Sequence, residues 1–92
     1  MKKVILGKTY NTSTAWRICT RITVHRVKST GYSNEWFETL YQRRKDDGCF
    51  IHKQVVQLDD KGVMYHSWEG IRPVSDSEAD EFRNRPYKTV YE

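Results

Sequence analysis

From Trp16 to Val27, apolar residues fall on the even positions Trp16, Ile18, Ile22 and Val24, while Arg17, Arg21 and His25 fall on odd ones. This period of two, in a run rich in β-branched residues, predicts a strand with one face packed inward and the other positively charged. A helix taking in Ala15 to Cys19 competes for the start of this segment. The Asn11-Thr12-Ser13-Thr14 cluster before it favours a turn or a helix cap through the same side-chain to backbone bonds. Upstream, Lys3 to Tyr10 reads as a short strand interrupted by Gly7.

Beyond a polar loop at Lys28 to Asn34, Glu35 to Arg43 and Cys49 to Gln57 are extended runs separated by Arg44-Lys45-Asp46-Asp47-Gly48. They predict a hairpin in which Gly48 supplies the left-handed residue of a type I turn with a bulge. A second turn, Asp59-Asp60-Lys61-Gly62, leads into Val63 to Trp68 and makes the three strands a meander. Ser75 with Glu78 forms a capping box, Val74 and Ala79 stand at the staple positions, and Asp76, Glu78, Asp80 and Glu81 suit a positive helix start. Arg83 and Arg85 suit the helix end and Pro86 stops it, which gives a helix of about ten residues that relies on docking to the sheet. The tail, Tyr87 to Glu92, is a candidate edge strand. The expected fold is α+β: a small antiparallel sheet of three to five strands in a hairpin meander, with one short C-terminal helix, all in a single domain spanning residues 1–92.

With 92 residues, such a domain buries only about 60–65% of the surface its unfolded chain exposes. The chain has three Leu, so much of the core must come from its three Trp, six Tyr and three Phe. No apolar run reaches the length of a membrane span, and the Met1 to Gly7 segment is too short for a signal peptide, so a cytoplasmic location is expected. In that compartment Cys19 and Cys49 are expected as free, small buried hydrophobes.

The net charge of +4 is unevenly distributed. Residues 1–45 hold ten Lys and Arg against Glu35 and Glu38, a balance of +8; residues 46–92 hold six against ten acids, a balance of −4. This polarity suggests an anionic partner for the first half and a basic surface for the second. Candidate chemistry is otherwise sparse. His25, His52 and His66 show no metal-ligand spacing with each other or with the cysteines, and Asp46-Asp47 and Asp59-Asp60 stand where turns favour Asp. Phosphate-loop, dinucleotide and nucleophile-elbow patterns are missing. The expectation is a binding protein with no cofactor, no metal, no catalytic residue and no small-molecule substrate. A small metal-independent ribonuclease built on one of the histidines is the enzymatic alternative.

The remaining signal is a basic and aromatic surface. Arg17, Arg21, Arg26, Lys28, Arg43, Arg44 and Lys45, with Trp36 among the interleaved rings Tyr32, Phe37 and Tyr41, are the expected partner or nucleic-acid contacts. Arginines grip phosphates bidentately, and exposed rings stack on unpaired bases. Asp76, Asp80 and Glu81 of the helix are expected to face basic groups of a partner. A plain nucleic-acid-binding accessory or regulatory module is the rival reading, although no helix-turn-helix pattern is present and the one helix is acidic.

Lys8-Thr9-Tyr10-Asn11-Thr12-Ser13-Thr14-Ala15, Phe37-Glu38-Thr39-Leu40-Tyr41 and Gly48-Cys49-Phe50-Ile51-His52 together resemble small proteins carried on phages, plasmids and integrative elements of Gram-positive bacteria. Those proteins typically read Lys-x-Tyr-Asp-Thr-x-Thr-Ala, then Glu-Thr-Leu-Tyr, then Gly-x-Phe-Phe-Leu. The match covers residues 8 to 52, with a looser echo at Pro73, Glu78 and Ala79, while Lys53 to Trp68 departs from the glycine-rich stretch of the pattern. Some members look like anti-CRISPR inhibitors of type II effector nucleases. The resemblance therefore implies a stoichiometric binder of such an effector or its guide RNA, acting in the bacterial host cytoplasm to evade host defence.

Overall fold

The computed structural model of the chain describes residues 1–84 and the backbone course of residues 88–91. Gly7 does not interrupt a strand; it reverses the chain. β1 (Lys2–Ile5) and β2 (Lys8–Asn11) pair as an antiparallel hairpin, with Leu6 at φ 50° and Gly7 at φ 78° between them. Two successive positive φ values make the tight turn whose twist matches that of paired strands. At Asn11 the side-chain Oδ1 accepts the Ser13 N–H at 2.9 Å, and the Ala15 N–H returns to the Asn11 carbonyl at 3.1 Å. The Asn11 to Thr14 cluster is thus a turn, and the segment after it is strand, not helix.

The main sheet contains β3 (Trp16–Arg26), β4 (Ser33–Gln42), β5 (Cys49–Leu58), β6 (Met64–Val74) and β7 (Lys88–Tyr91) in the order β6-β5-β4-β3-β7. β4 to β6 form the expected three-stranded antiparallel meander, β3 extends it antiparallel beside β4, and β7 adds a parallel edge beside β3. β6 runs six residues past the expected end at Trp68. The helix α1 (Asp76–Arg83) begins at Ser75, whose Oγ accepts the Glu78 N–H at 3.2 Å. Only this half of the capping box forms, because the Glu78 carboxylate accepts instead from Arg72 at 2.8 Å. The helix is shorter than expected and ends at Asn84; Arg85 and Pro86, expected to end it, lie outside the described residues, as do Tyr87 and Glu92.

Two turns depart from expectation in detail. In the β4–β5 connection Asp47, at φ 59°, takes the left-handed position assigned to Gly48, while Asp46 Oδ1 accepts the Gly48 N–H at 3.1 Å. Asp tolerates this conformation better than most side chains, which makes the glycine unnecessary there. In the β5–β6 connection Asp59 Oδ1 accepts the N–H groups of Lys61 and Val63, both at 2.9 Å. Backbone capping accounts for Asp46 and Asp59 in these turns.

Cross-strand register sorts the side chains between two faces. On one, α1 lays Ala79 and Phe82 over Leu40, Cys49 and Ile51, with Cys19 and Val74 alongside. On the other, the β1–β2 hairpin lays Tyr10 over Phe50 and Ile71, with Ile5, Ala15 and Tyr41 alongside. Tyr10 meets Phe50 edge-on at 5.4 Å and Tyr41 stacks on it at 5.2 Å, so the aromatic content does supply much of this second cluster. Both covering elements sit over the sheet end nearest the 43–48 turn. Among the described residues, neither covers the opposite half, toward the 27–32 and 59–63 turns.

The simple alternation expected of β3 does not hold along its whole length. Its pairing with β4 shifts between Arg17 and Cys19, a bulge at Ile18 that changes which face of the sheet the two ends of the strand share; beyond it Val24 is buried and Ile22 half-buried, as the alternation predicts, on the face away from the helix. Trp16 and Ile18 are consequently exposed, while Cys19 and Arg21 turn toward the helix.

Candidate nucleic-acid interface

At the sheet end where the N-terminal hairpin docks, β1–β2, the 11–15 turn and the 43–46 turn enclose an open groove of about 840 Å³. Lys2, Lys8, Arg43, Arg44 and Lys45 line it, with Asp46 as its carboxylate. Each cation is placed by a local structural cause. Lys8 opens β2 directly after the Leu6-Gly7 turn, and Lys2 starts the strand that pairs with it. Arg43 is held rigidly: it donates to Asp46 at 2.6 Å, its guanidinium lies 5.1 Å from the Tyr10 ring centroid, and its side chain is 12% exposed. Arg44 projects further and rests 5.6 Å over the Trp16 ring, itself 48% exposed because of the bulge beyond it.

Asp46 is already engaged by Arg43 and, at 3.9 Å, by Lys8, and it also accepts the Gly48 N–H. The groove therefore has an excess of positive charge and one satisfied acid. Exposed cations of this kind bind phosphate oxygens without reading sequence.

The expected contacts do not form one face. Arg17, the second residue of β3, lies opposite Tyr41 and, with Arg43, Arg44 and Lys45, belongs to the hairpin end. Arg21 points to the helix side, where it pairs with Glu38 at 3.2 Å and lies 4.6 Å over the Phe82 ring. It helps seat α1. Arg26 closes β3 and Lys28 follows it, roughly 30 Å along the strand from Arg17. Trp36 is half-buried in mid-sheet, in a shallow depression shared with Thr23, His25, Glu38 and Lys53. Asp76, Asp80 and Glu81 are exposed on α1, at the same end of the sheet as the groove but across the sheet from the hairpin.

Lys2 and Lys8, which line the groove, and Trp16, on which Arg44 rests, lie outside the expected contact set. Lys8 carried a signal, as the first residue of the resemblance pattern, whereas Lys2 and Trp16 carried none beyond charge and ring. The histidines are dispersed. His52 hydrogen-bonds Glu69 at 3.0 Å on the hairpin face, whereas His25 and His66 share the helix face three strands apart, about 14 Å.

Burial pushes the Cys19 thiol up, with Arg83 and Arg21 opposing, and pushes up Cys49, where Arg83 opposes and Asp76, Asp80 and Asp47 add to the rise. Both are free and remain protonated at neutral pH. Among the described residues no cluster of three His, Cys, Asp or Glu is placed to hold a metal ion, and no helix is long and apolar enough to cross a membrane. No protein-family model, curated protein or solved structure matches the chain.

Proposed function

We propose that this protein is a stoichiometric inhibitor of the anti-CRISPR type, which engages a type II effector nuclease through the phosphates of its guide RNA and blocks DNA targeting. The observation that carries the reading is the groove, where Lys2, Lys8, Arg44 and Lys45 surround a single acid already paired internally. A guide-loaded effector presents RNA backbone beside clefts and motif-reading sites rich in basic side chains. The groove and acidic α1 sit at one end of the molecule on either side of the sheet. One binding event can therefore place cations on RNA and Asp76, Asp80 and Glu81 on protein. Inhibition then requires occupancy alone, with no covalent step, and the site of action is the cytoplasm of the bacterial host.

The test is guide-directed DNA cleavage by a type II effector with the protein titrated in before and after guide loading. Inhibition saturating at about one protein per effector, as expected of an occluding ligand, supports the reading. Loss of inhibition in Arg44→Glu/Lys45→Glu assigns it to the groove. Arg21 and Arg43 are unsuitable for charge reversal, since both hold the fold together. Salt-dependent binding to free RNA without inhibition of any effector would replace this reading with that of a nucleic-acid-binding accessory module of a mobile element.

A further inference from the structure

The uncovered half of the helix face carries two tryptophans in one cross-strand row. Trp36 on β4 lies opposite Val55 on β5, which lies opposite Trp68 on edge strand β6, placing the two residues about 10 Å apart. Trp68 is 55% exposed, and its placement is built in by its neighbour. A Cβ on Gly70 would stand 2.8 Å from the Trp68 ring atoms Cη2 and Cζ2. The missing side chain lets the indole lie against the strand with its outer surface open. In the next row, Lys53 stands between Glu38 and Gly70 and thus between the two indoles. Glu38 is the one carboxylate of these two rows and is neutralised by Arg21 at 3.2 Å, so Lys53 leaves the surface net positive. The row on the far side offers the amides of Asn34 and Gln57.

We infer that this face is a second binding site, a stacking platform for single-stranded RNA. Trp36 and Trp68 take unpaired bases, Lys53 takes the intervening phosphate, and Asn34 and Gln57 bond base edges and 2′-hydroxyls. Paired indoles on an antiparallel sheet provide the sequence-tolerant stacking by which sheet surfaces hold unpaired bases, and the lysine between them supplies the charge complement. The site is independent of the cationic groove and rests on the inhibitor reading only in the choice of RNA over DNA.

The experiment uses the full chain carrying Arg44→Glu/Lys45→Glu, so that groove binding is suppressed, and a fluorescein-labelled eight-nucleotide RNA followed by anisotropy at about 150 mM salt. Binding is expected to persist in this background, to weaken by about fivefold to a hundredfold on adding Trp68→Ala, and to be largely restored by Trp68→Phe. Gly70→Ala, which dislodges the indole without removing it, is expected to weaken binding as well. Equal affinity of the Trp68→Ala protein, or equal affinity for the same sequence as a duplex, overturns the platform. Equal or tighter binding of the matching DNA strand overturns the assignment to RNA. Effector inhibition is read in the separate cleavage assay, so failure of the platform leaves the inhibitor reading standing, and failure of the inhibitor reading removes only the ground for choosing RNA over DNA, which the DNA-strand comparison then decides.

Discussion

Replacing Arg44 and Lys45 with alanine should change how salt controls RNA binding as well as how tightly RNA binds. Four groove cations, Lys2, Lys8, Arg44 and Lys45, are exposed, Lys8 remaining so beside Asp46 at 3.9 Å, whereas the Arg43 side chain, 12% exposed, is held in its pair with Asp46. Each phosphate neutralised contributes about −0.7 to −0.9 to the slope of log affinity against log salt, so four contacts give a slope of about −3. Between 50 and 200 mM salt the wild-type protein should then lose about 60-fold in affinity. The Arg44→Ala/Lys45→Ala protein keeps two contacts and a slope of about −1.5, which reduces the loss to about eightfold. Neither side chain is buried, so the fold should be unaffected and circular dichroism unchanged. Anisotropy titrations of labelled guide RNA at four or five salt concentrations measure both slopes. Superimposable slopes for the two proteins would refute the assignment of phosphate contacts to this groove, even if absolute affinity fell.

Four further outcomes test the fold that positions these surfaces. Phe50→Ala removes the ring that Tyr10 and Tyr41 both contact, and should cost about 3–5 kcal/mol in urea unfolding while raising amide exchange in the β1–β2 hairpin. Ser75→Ala deletes the cap on α1 and should lower stability by about 1 kcal/mol, read as a shift in the urea midpoint at unchanged m-value. Leu6→Asn should raise the melting temperature by a few degrees, because Leu6 is 99% exposed and held at positive φ where Asn is favoured. Burial raises both thiols in the folded state, so the unfolded chain ionises first. Stability should therefore be level below about pH 8 and fall as pH rises beyond it, and Cys19→Ala/Cys49→Ala should flatten that fall in urea midpoints measured from pH 7 to 10.

The elements legible in the sequence were those specified by local chemistry. Alternating residues on either side of a five-residue polar connection identify β4 and β5, and Ser75 with its following acids identifies the start of α1. Features that depend on counting residues across a pairing were not legible. One extra residue at Ile18 moves Trp16 out to meet Arg44 and brings Arg21 in to meet Phe82, and neither side chain signals this by itself. The same limit applies to the site. Seven basic residues of the first half read as one patch, yet strand length separates Arg26 and Lys28 from Arg44 by most of the sheet, while the hairpin turn brings Lys2 and Lys8, outside that set, to it. The groove joins segments some 30 positions apart, and its composition emerges only when the Leu6-Gly7 turn and the Tyr10 contact are known.

The positions that carry the resemblance to mobile-element proteins have a packing role in common. Tyr10, Leu40, Tyr41, Phe50 and Ile51 build the two clusters that fasten the hairpin and the helix to the sheet, and Asn11 caps the turn that leads from β2 into β3. A pattern made of such residues specifies an architecture, and proteins sharing it can differ in everything they bind. The side chains that would choose a partner here lie mostly outside it: Lys2, Arg44 and Lys45 in the groove, Asp76, Asp80 and Glu81 on the helix, Trp68 above Gly70. Partner choice can therefore change by surface substitution at little cost to the core, since such positions usually alter stability by less than about 0.5 kcal/mol.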